Sequence, residues 1–330
     1  GNDAWGYGLH PGQYGMLVLS RYPIDEAKVR SFQLLKWSAM PGAIRPVDPR
    51  TGKSFYNDHV WSQLRLSSKS HWDVPVKTPA GVVHALVSHP TPPVFDGPEK
   101  RNAARNHDEL RLWQEYLSKG DKPWLCDDKG QCGGLAQDAR FVILGDLNND
   151  PVDGDGRHEA IVELIENARV LRYPTPRSVG GEQTSLAYAA KGIERKGAPF
   201  HATGDFGPKS GTMRLDYVLP STGFEYIGSG VFWPKKSDPE FALPDAPSRK
   251  AVRVMSMFLR MAESMDRSHQ RFVRRVEFVR RGDVIILQIT TIPGCQLEIW
   301  SLEEHIGTFA KLFGERFSIR TDTSPESGGV

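Results

Sequence analysis

Three features of the sequence predict an α+β protein. Short apolar or β-branched runs alternate with Gly, Pro and Asp turns, few segments show helical periodicity, and the pattern changes after a Pro-rich stretch. The expected architecture is two packed, mostly antiparallel β-sheets flanked by helices, followed by a small α+β unit. Strand-like runs lie at residues 16–20, 63–67, 82–88, 141–145, 214–219 and 224–229. Helical spacing appears at 106–118, where Leu110, Trp113 and Leu117 share a face, and at 157–166, where Ala160, Ile161, Leu164 and Ile165 do. Pro234, Pro239, Pro244 and Pro247 then follow closely. Proline fixes φ and lacks an N–H, so this stretch holds neither a helix interior nor a central strand.

Beyond that linker, residues 251–265 form one amphipathic period in which Val254, Met257, Phe258, Met261 and Met265 make an apolar stripe suited to a core. Strands are expected at 275–280 and 284–290, on either side of the Arg281-Gly282-Asp283 turn, with 296–300 grouped among the strands. A helix over 302–313 ends at Gly314, a natural C-cap, and the polar residues 321–330 read as a disordered tail. The expected division is therefore 1–236, a linker at 237–248, a small unit at 249–320, and the tail.

Size and composition bound the function. The chain has 330 residues, of which 39% are hydrophobic and 25% charged, a soluble globular composition with a formal charge of only +2. No global field argues for a nucleic-acid coat or a membrane surface. The Arg-rich stretch 249–281 reads either as a solvated face or as a polyanion patch built on Arg271, Arg274 and Arg275. Three cysteines are too few for a disulfide framework, although Cys126 and Cys132 flank a polar turn and could pair in an oxidising compartment. No apolar run is long enough to cross a membrane, and no signal pattern opens the chain.

The strongest local signal is Phe141-Val142-Ile143-Leu144-Gly145-Asp146-Leu147-Asn148. A buried strand gives way at Gly145, so that Asp146 and Asn148 emerge together at the strand end. A carboxylate there can orient a water and an amide can donate to a phosphate oxygen; the same residues could also simply cap the strand. His89 closes the apolar run 82–88 just before a Pro-rich loop, where it is either structural or exposed for catalysis. Asp216 lies inside a strand pattern and demands a partner: Arg214 or a nearby Lys in one reading, a catalytic His in the other.

Taken in order, these motifs resemble the endonuclease/exonuclease/phosphatase superfamily, with its deoxyribonuclease-I-like fold. Residues 14–24 look like its early strand and Ser-Arg-x-Pro turn, Ser88-His89-Pro90 its His-bearing strand, Gly145-Asp146-Leu147-Asn148 its Gly-Asp-x-Asn signature, and Arg214-Leu215-Asp216-Tyr217 its late Asp strand. Residues 66–73 and 89–97 are similar to a bacterial, often exported branch, so a periplasmic or extracellular site is favoured over a cytoplasmic one. The resemblance implies a four-layer α/β sandwich and a Mg²⁺- or Mn²⁺-dependent phosphoesterase acting on a phosphodiester or phosphomonoester, nucleic acid among the substrates. In it Asp146 orients water and contacts metal, Asn148 and His89 contact phosphate, and Asp216 orients a second His. Lys69, His71 and Arg214 are further candidates for contact with substrate.

The chain departs from that pattern at both ends. Nothing before Tyr14 matches the family's Asn strand or its metal-binding Glu strand, and no Ser-Asp-His triplet follows Asp216. The sandwich is expected to be incomplete and the chain to show little or no hydrolysis, with a non-catalytic protein that binds phosphate or polyanions weakly as the alternative. From about residue 251 the sequence instead resembles the C-terminal segment of the exopolyphosphatase and guanosine-pentaphosphate phosphatase family, through residues 258–270, Leu297-Glu298-Ile299-Trp300 and 309–317. That likeness implies an accessory role.

Overall fold

The structure, a computed structural model, describes residues 14–237, part of 254–265, and 272–323. These fall into two compact units, one up to residue 238 and one beyond it. Nearly all of the expected linker lies outside the described residues.

The first unit has strands β1 (Arg30–Ser31), β2 (His71–Thr78), β3 (Gly81–Ser88), β4 (Arg140–Asp146), β5 (Gly204–Asp205), β6 (Thr212–Met213) and β7 (Asp216–Pro220). Five of them form a mixed sheet in the order β1-β2-β3-β4-β7, while β5 and β6 pair as a separate ribbon. The class is α+β, as the sequence predicts, with helices α1 (Asp58–Gln63), α2 (Arg101–Leu117), α3 (His158–Ile165), α4 (Val179–Ala189) and α5 (Gly207–Ser210) around the sheets. Strands β3 and β4 run parallel, so the chain must cross over between them, and α2 makes that crossing.

Alternation along β4 explains the core. Phe141 and Ile143 are fully buried, whereas Val142 and Leu144 point to the other face and are half-buried. Leu86, Ile143 and Leu219 are register partners across three strands, so they share one face. They form one cluster with Leu110, Trp113 and Leu117 of α2 and Ile161 and Leu164 of α3. Each such side chain contributes about 1.5–3 kcal/mol by leaving water.

A polar network fastens the β1 edge. Buried Asp73 accepts from Tyr116 Oη at 2.6 Å and lies 2.7 Å from His84 Nδ1. Arg30 donates through Nε to Asp127 at 2.9 Å, and to the carbonyls of Gly133 and Gln131 at 2.9 and 2.7 Å. It thereby holds the loop in which Cys126 and Cys132 form a disulfide.

Several expected elements are different in the structure. Residues 16–20 are not a strand: no described strand pairs with them, and Leu17 and Leu19 stay exposed. Residues 63–67 hold the end of α1 and an isolated bridge from Arg65 to Lys36, because the carbonyls and N–H groups here bond to the 35–37 turn. Residues 224–229 run without a ladder. Helix α2 begins five residues before the expected start, where Asp96 accepts from the N–H groups of Asn102 and Ala103.

In the second unit β8 (Val273–Arg281) and β9 (Val284–Thr291) form the expected hairpin, and β10 (Arg316–Thr323) adds parallel to β9. Residues 321–323 thus belong to a strand rather than to a tail; 324–330 lie outside the described residues. Residues 296–300 lie in helix α6 (Gln296–Glu303), and α7 (Ile306–Phe313) closes on Gly314 at φ 70°. The core gathers Met257, Met261, Leu287, Ile289, Leu302, Phe309 and Phe317, with Phe309 stacked on Phe317 at 3.9 Å between centroids. Within the basic stretch, Arg275 pairs with Glu277 and Arg280 with Glu315 at the surface; Arg271 is outside the described residues.

Candidate active site

Parallel strands deliver their C-terminal ends to the same edge, which brings His89, one residue past β3, beside Asp146 at the end of β4. Their head groups, His89 Nε2 and Asp146 Oδ2, are 3.7 Å apart. That is too long for a hydrogen bond, and leaves both free to address a third group. The close approach of the strands depends on Gly145, whose φ is 153°; a Cβ there would lie 2.1 Å from the Ser88 carbonyl oxygen.

The turn after β4 is held residue by residue. Asn148 adopts φ 52°, its N–H bonds Asp146 Oδ1 at 2.9 Å, and its Nδ2 donates to the Pro90 carbonyl at 3.0 Å. Lys69 Nζ donates to the same carbonyl at 3.2 Å. Asn149 Nδ2 donates to Asn106 Oδ1 at 2.8 Å, and Asn106 Nδ2 in turn reaches the carbonyls of Thr91 and Leu147 at 2.9 and 3.1 Å. Asp150 accepts from Arg195 at 2.8 Å and from the Arg214 N–H at 2.7 Å. Asn148 and Lys69 each retain a further N–H beyond the Pro90 bond.

Electrostatics divide the roles. Burial, helped by the Lys69 charge and opposed by Glu109, pushes His89 down to about 4, so the imidazole is neutral at pH 7. Burial and the Asp216 charge push Asp146 up to about 6, against the Asn148 N–H and Lys69. The Asp146 side chain keeps 39% of its surface open, so solvent moderates that push and the group is ionised at neutral pH. Lys69 is lowered chiefly by burial.

Asp216 is the register partner of Asp146 across β4 and β7, so the two carboxylates lie side by side on one face. It is exposed, so water can solvate it, and the partner that a buried carboxylate would need is not required. Among the described residues Arg214 makes no ion pair with it; its guanidinium sits 4.5 Å from the centroid of the Tyr217 ring. Both residues line a cleft of about 560 Å³ with Tyr173, His201, Val218 and Tyr226, whose two tyrosine rings stack at 5.3 Å.

His71 is elsewhere. It is fully buried, with Nδ1 2.6 Å from Ser67 Oγ and Nε2 donating to the Glu109 carbonyl at 2.9 Å. Both ring nitrogens are engaged inside the protein, which corrects the expectation that it contacts substrate. Sequence reasoning also missed Asn106, Glu109 and Asp150. The signal was there in α2, where Asn102, Asn106, Glu109 and Trp113 fall at helical spacing and polar side chains share the buried face.

For a divalent cation, no group of three His, Cys, Asp or Glu side chains suited to a metal occurs among the described residues. Asp146 and Asp216 do not make a dedicated cage. They fit a cation held by one or two carboxylates, with water and a substrate phosphate completing its shell.

The model of the Endonuclease/Exonuclease/phosphatase family matches residues 1–238. No curated protein matches the chain. Among solved structures, an endonuclease/exonuclease/phosphatase from Beutenbergia cavernae is 16% identical, with a TM-score of 0.34 over 63% of this chain and 40% of that one. Sphingomyelinase C from Streptomyces griseocarneus is 16% identical, with a TM-score of 0.31 over 63% of this chain and 52% of its own. Beta toxin from Staphylococcus aureus, crystallised with bound magnesium ions, is 12% identical, with a TM-score of 0.29 over 51% and 46%. The chain thus spans about half the length of these structures.

Proposed function

Since the chain belongs to the endonuclease/exonuclease/phosphatase family, we propose that it is a slow, divalent-metal-dependent phosphoesterase. The observation that carries this reading is the 3.7 Å gap between His89 and Asp146 at one sheet edge, with Lys69 and Asn148 gathered on the Pro90 carbonyl beside it.

Asp146, ionised at neutral pH, accepts the proton of an attacking water. Neutral His89 donates one N–H to a phosphate oxygen or to the leaving group, and the spare N–H groups of Lys69 and Asn148 serve the non-bridging oxygens. Asp216 lies next to Asp146 and adds a second carboxylate where a cation would bind. Bound there, Mg²⁺ or Mn²⁺ would neutralise charge on the phosphate. The cleft lined by Arg214, Tyr173 and Tyr226 opens beside Asp216 and is placed to take an ester substituent of the substrate.

The disulfide-bonded loop and the branch likeness support an exported location. Residues 249–320, beyond the family match, take an accessory role, which is what their sequence resemblance to the exopolyphosphatase C-terminal segment implies.

The test is hydrolysis of bis(4-nitrophenyl) phosphate with Mg²⁺, with Mn²⁺ and with EDTA. Turnover below about 1 s⁻¹, the low end of the ordinary enzyme range, is expected, lost with EDTA and in Asp146→Asn and His89→Ala. No metal-dependent hydrolysis in the unmodified chain would favour the second reading, a phosphate-binding protein.

A further inference from the structure

We propose that Glu109 is the positioning residue of this site, clamping the two loops that carry Lys69 and His89 into one geometry; the role rests on the phosphoesterase reading above. Glu109 lies on α2, is fully buried, and its carboxylate bridges the loop before β2 and the loop after β3. Oε1 accepts from the Ser68 N–H at 2.7 Å, and Oε2 accepts from the Thr91 N–H at 2.6 Å. Its own carbonyl takes a third bond, from His71 Nε2 at 2.9 Å.

These contacts fall where they control the chemistry. Ser68 is the residue before Lys69, and Thr91 is two residues after His89. Between the clamped amides the loops meet once more, where Lys69 Nζ donates to the Pro90 carbonyl. The β2–β3 ladder brings the two loops together, with His71 opposite Ser88, and one side chain then holds the cationic and the imidazole groups, 20 residues apart in sequence, beyond the end of that ladder. Charge-assisted bonds to a buried carboxylate are the stronger kind, and no water competes for them. Its neighbour Asp108 is a natural contrast. It is equally buried and accepts from Trp37 Nε1 and the Ile44 N–H, both at 2.7 Å, so it grips the 37–44 segment and neither loop of the site.

The experiment compares Glu109→Gln with Asp108→Asn. In Glu109→Gln the new NH₂ opposes one of the two N–H donors; in Asp108→Asn the amide oxygen can keep both donors, which share Oδ2, while the NH₂ replaces the oxygen that faces Arg111, so both variants lose stability. With bis(4-nitrophenyl) phosphate and Mn²⁺, Glu109→Gln is expected to lower kcat about 10²-fold, the loss that a misplacement near 1 Å brings. KM should stay within about threefold, the signature of an interaction needed in the transition state. Asp108→Asn should lower the melting temperature and keep kcat within about threefold, since it touches no group of the site. Equal kcat losses in the two variants, or an unchanged kcat in Glu109→Gln, overturn the proposal.

Amide hydrogen exchange separates this failure from that of the enzyme reading and serves if a variant does not fold. In the unmodified protein the Ser68 and Thr91 amides should exchange as slowly as those of α2. Exchange as fast as in open loops removes the clamp and overturns the proposal, even if hydrolysis is observed. If the unmodified chain does not hydrolyse the ester, inorganic phosphate is titrated instead: affinity weakened about tenfold in Glu109→Gln and kept in Asp108→Asn supports positioning, since one lost phosphate bond is worth about that factor, and parallel behaviour refutes it.

Discussion

Acid should destabilise the first unit through His71. Its imidazole is fully enclosed, and burial pulls it from 6.5 to about 4, with the Glu109 carboxylate and carbonyl opposing. Nε2 donates to the Glu109 carbonyl, so the neutral ring carries its proton there and Nδ1 accepts from Ser67. On protonation the Ser67 hydroxyl can turn and accept, so the cost is that of an enclosed charge rather than of a broken bond. The folded value lies below the unfolded one, so the unfolded chain binds the proton first. The stability is present above about pH 6.5 and is lost as pH falls towards 4. Linkage between these two values gives a loss of about 2 kcal/mol at pH 5 and about 3 kcal/mol at pH 4. For a unit of this size, 2 kcal/mol corresponds to a fall of about 4–8 °C in melting temperature. His89 and His201 are lowered as well, so pH dependence of the unmodified protein alone does not isolate His71. The comparison is with His71→Gln, whose amide can donate and accept as the neutral ring does but does not titrate. The variant will be less stable at pH 7.5, and its melting temperature should then fall less between pH 7.5 and 5 by the amount just given. Equal falls in both proteins would mean that His71 is open to solvent, and would restore it as a candidate for substrate contact.

Other perturbations test separate parts. Arg30→Met should cost about 3–5 kcal/mol in urea unfolding, because it leaves buried Asp127 without its ion pair; a cost under about 1 kcal/mol would show that the disulfide alone holds the 126–133 loop. Gly145→Ala should cost about 3 kcal/mol or more and abolish hydrolysis, since the new methyl meets the Ser88 carbonyl oxygen. Retention of activity would contradict the strand spacing at the site. Phe309→Ala, by opening the stacked cluster of the second unit, should cost about 3–5 kcal/mol. In calorimetry it should lower one thermal transition and leave the other in place, and a uniform shift of a single transition would refute independent cores.

What could be read in the sequence was whatever local chemistry decides. Strands β3 and β4 stand out because Val82-Val83 and Phe141-Val142-Ile143-Leu144 are apolar runs between turns, and α7 stops where Gly314 allows a positive φ. Strand β2 was hidden, because Asp73 and Pro75 read as breakers. Asp73 is acceptable there only through His84 and Tyr116, which the sequence alone does not place beside it. Helix α4 was hidden by Gly180 and Gly181, poor helix formers. Gly180 has a reason in packing, since a Cβ would lie 2.5 Å from the Trp233 carbonyl oxygen. At the site, His89, Asp146 and Asn148 could be inferred because each ends an apolar strand or follows one. The fixings around them, Asn106 and Glu109, show at helical spacing with Trp113 that they share its face, but the backbone groups they bond, in Ser68, Thr91 and Leu147, lie too far off in sequence to be named from it.

The parallel pairing of β3 with β4 also bears on how the protein reaches this state. The β2–β3 hairpin joins neighbours in the chain, with Thr78 opposite Gly81, so it closes a very small loop. His84 opposite Phe141, by contrast, closes a segment that includes all of α2. Long closures lose more chain entropy before any contact rewards them, and such pairings set slow folding rates. His89 is therefore carried by a hairpin that can form early, while Asp146 arrives with a later docking step. Recovery of activity during refolding should lag behind recovery of β-structure, and a nascent chain released before residue 140 leaves the ribosome with the imidazole in place and no carboxylate to face it.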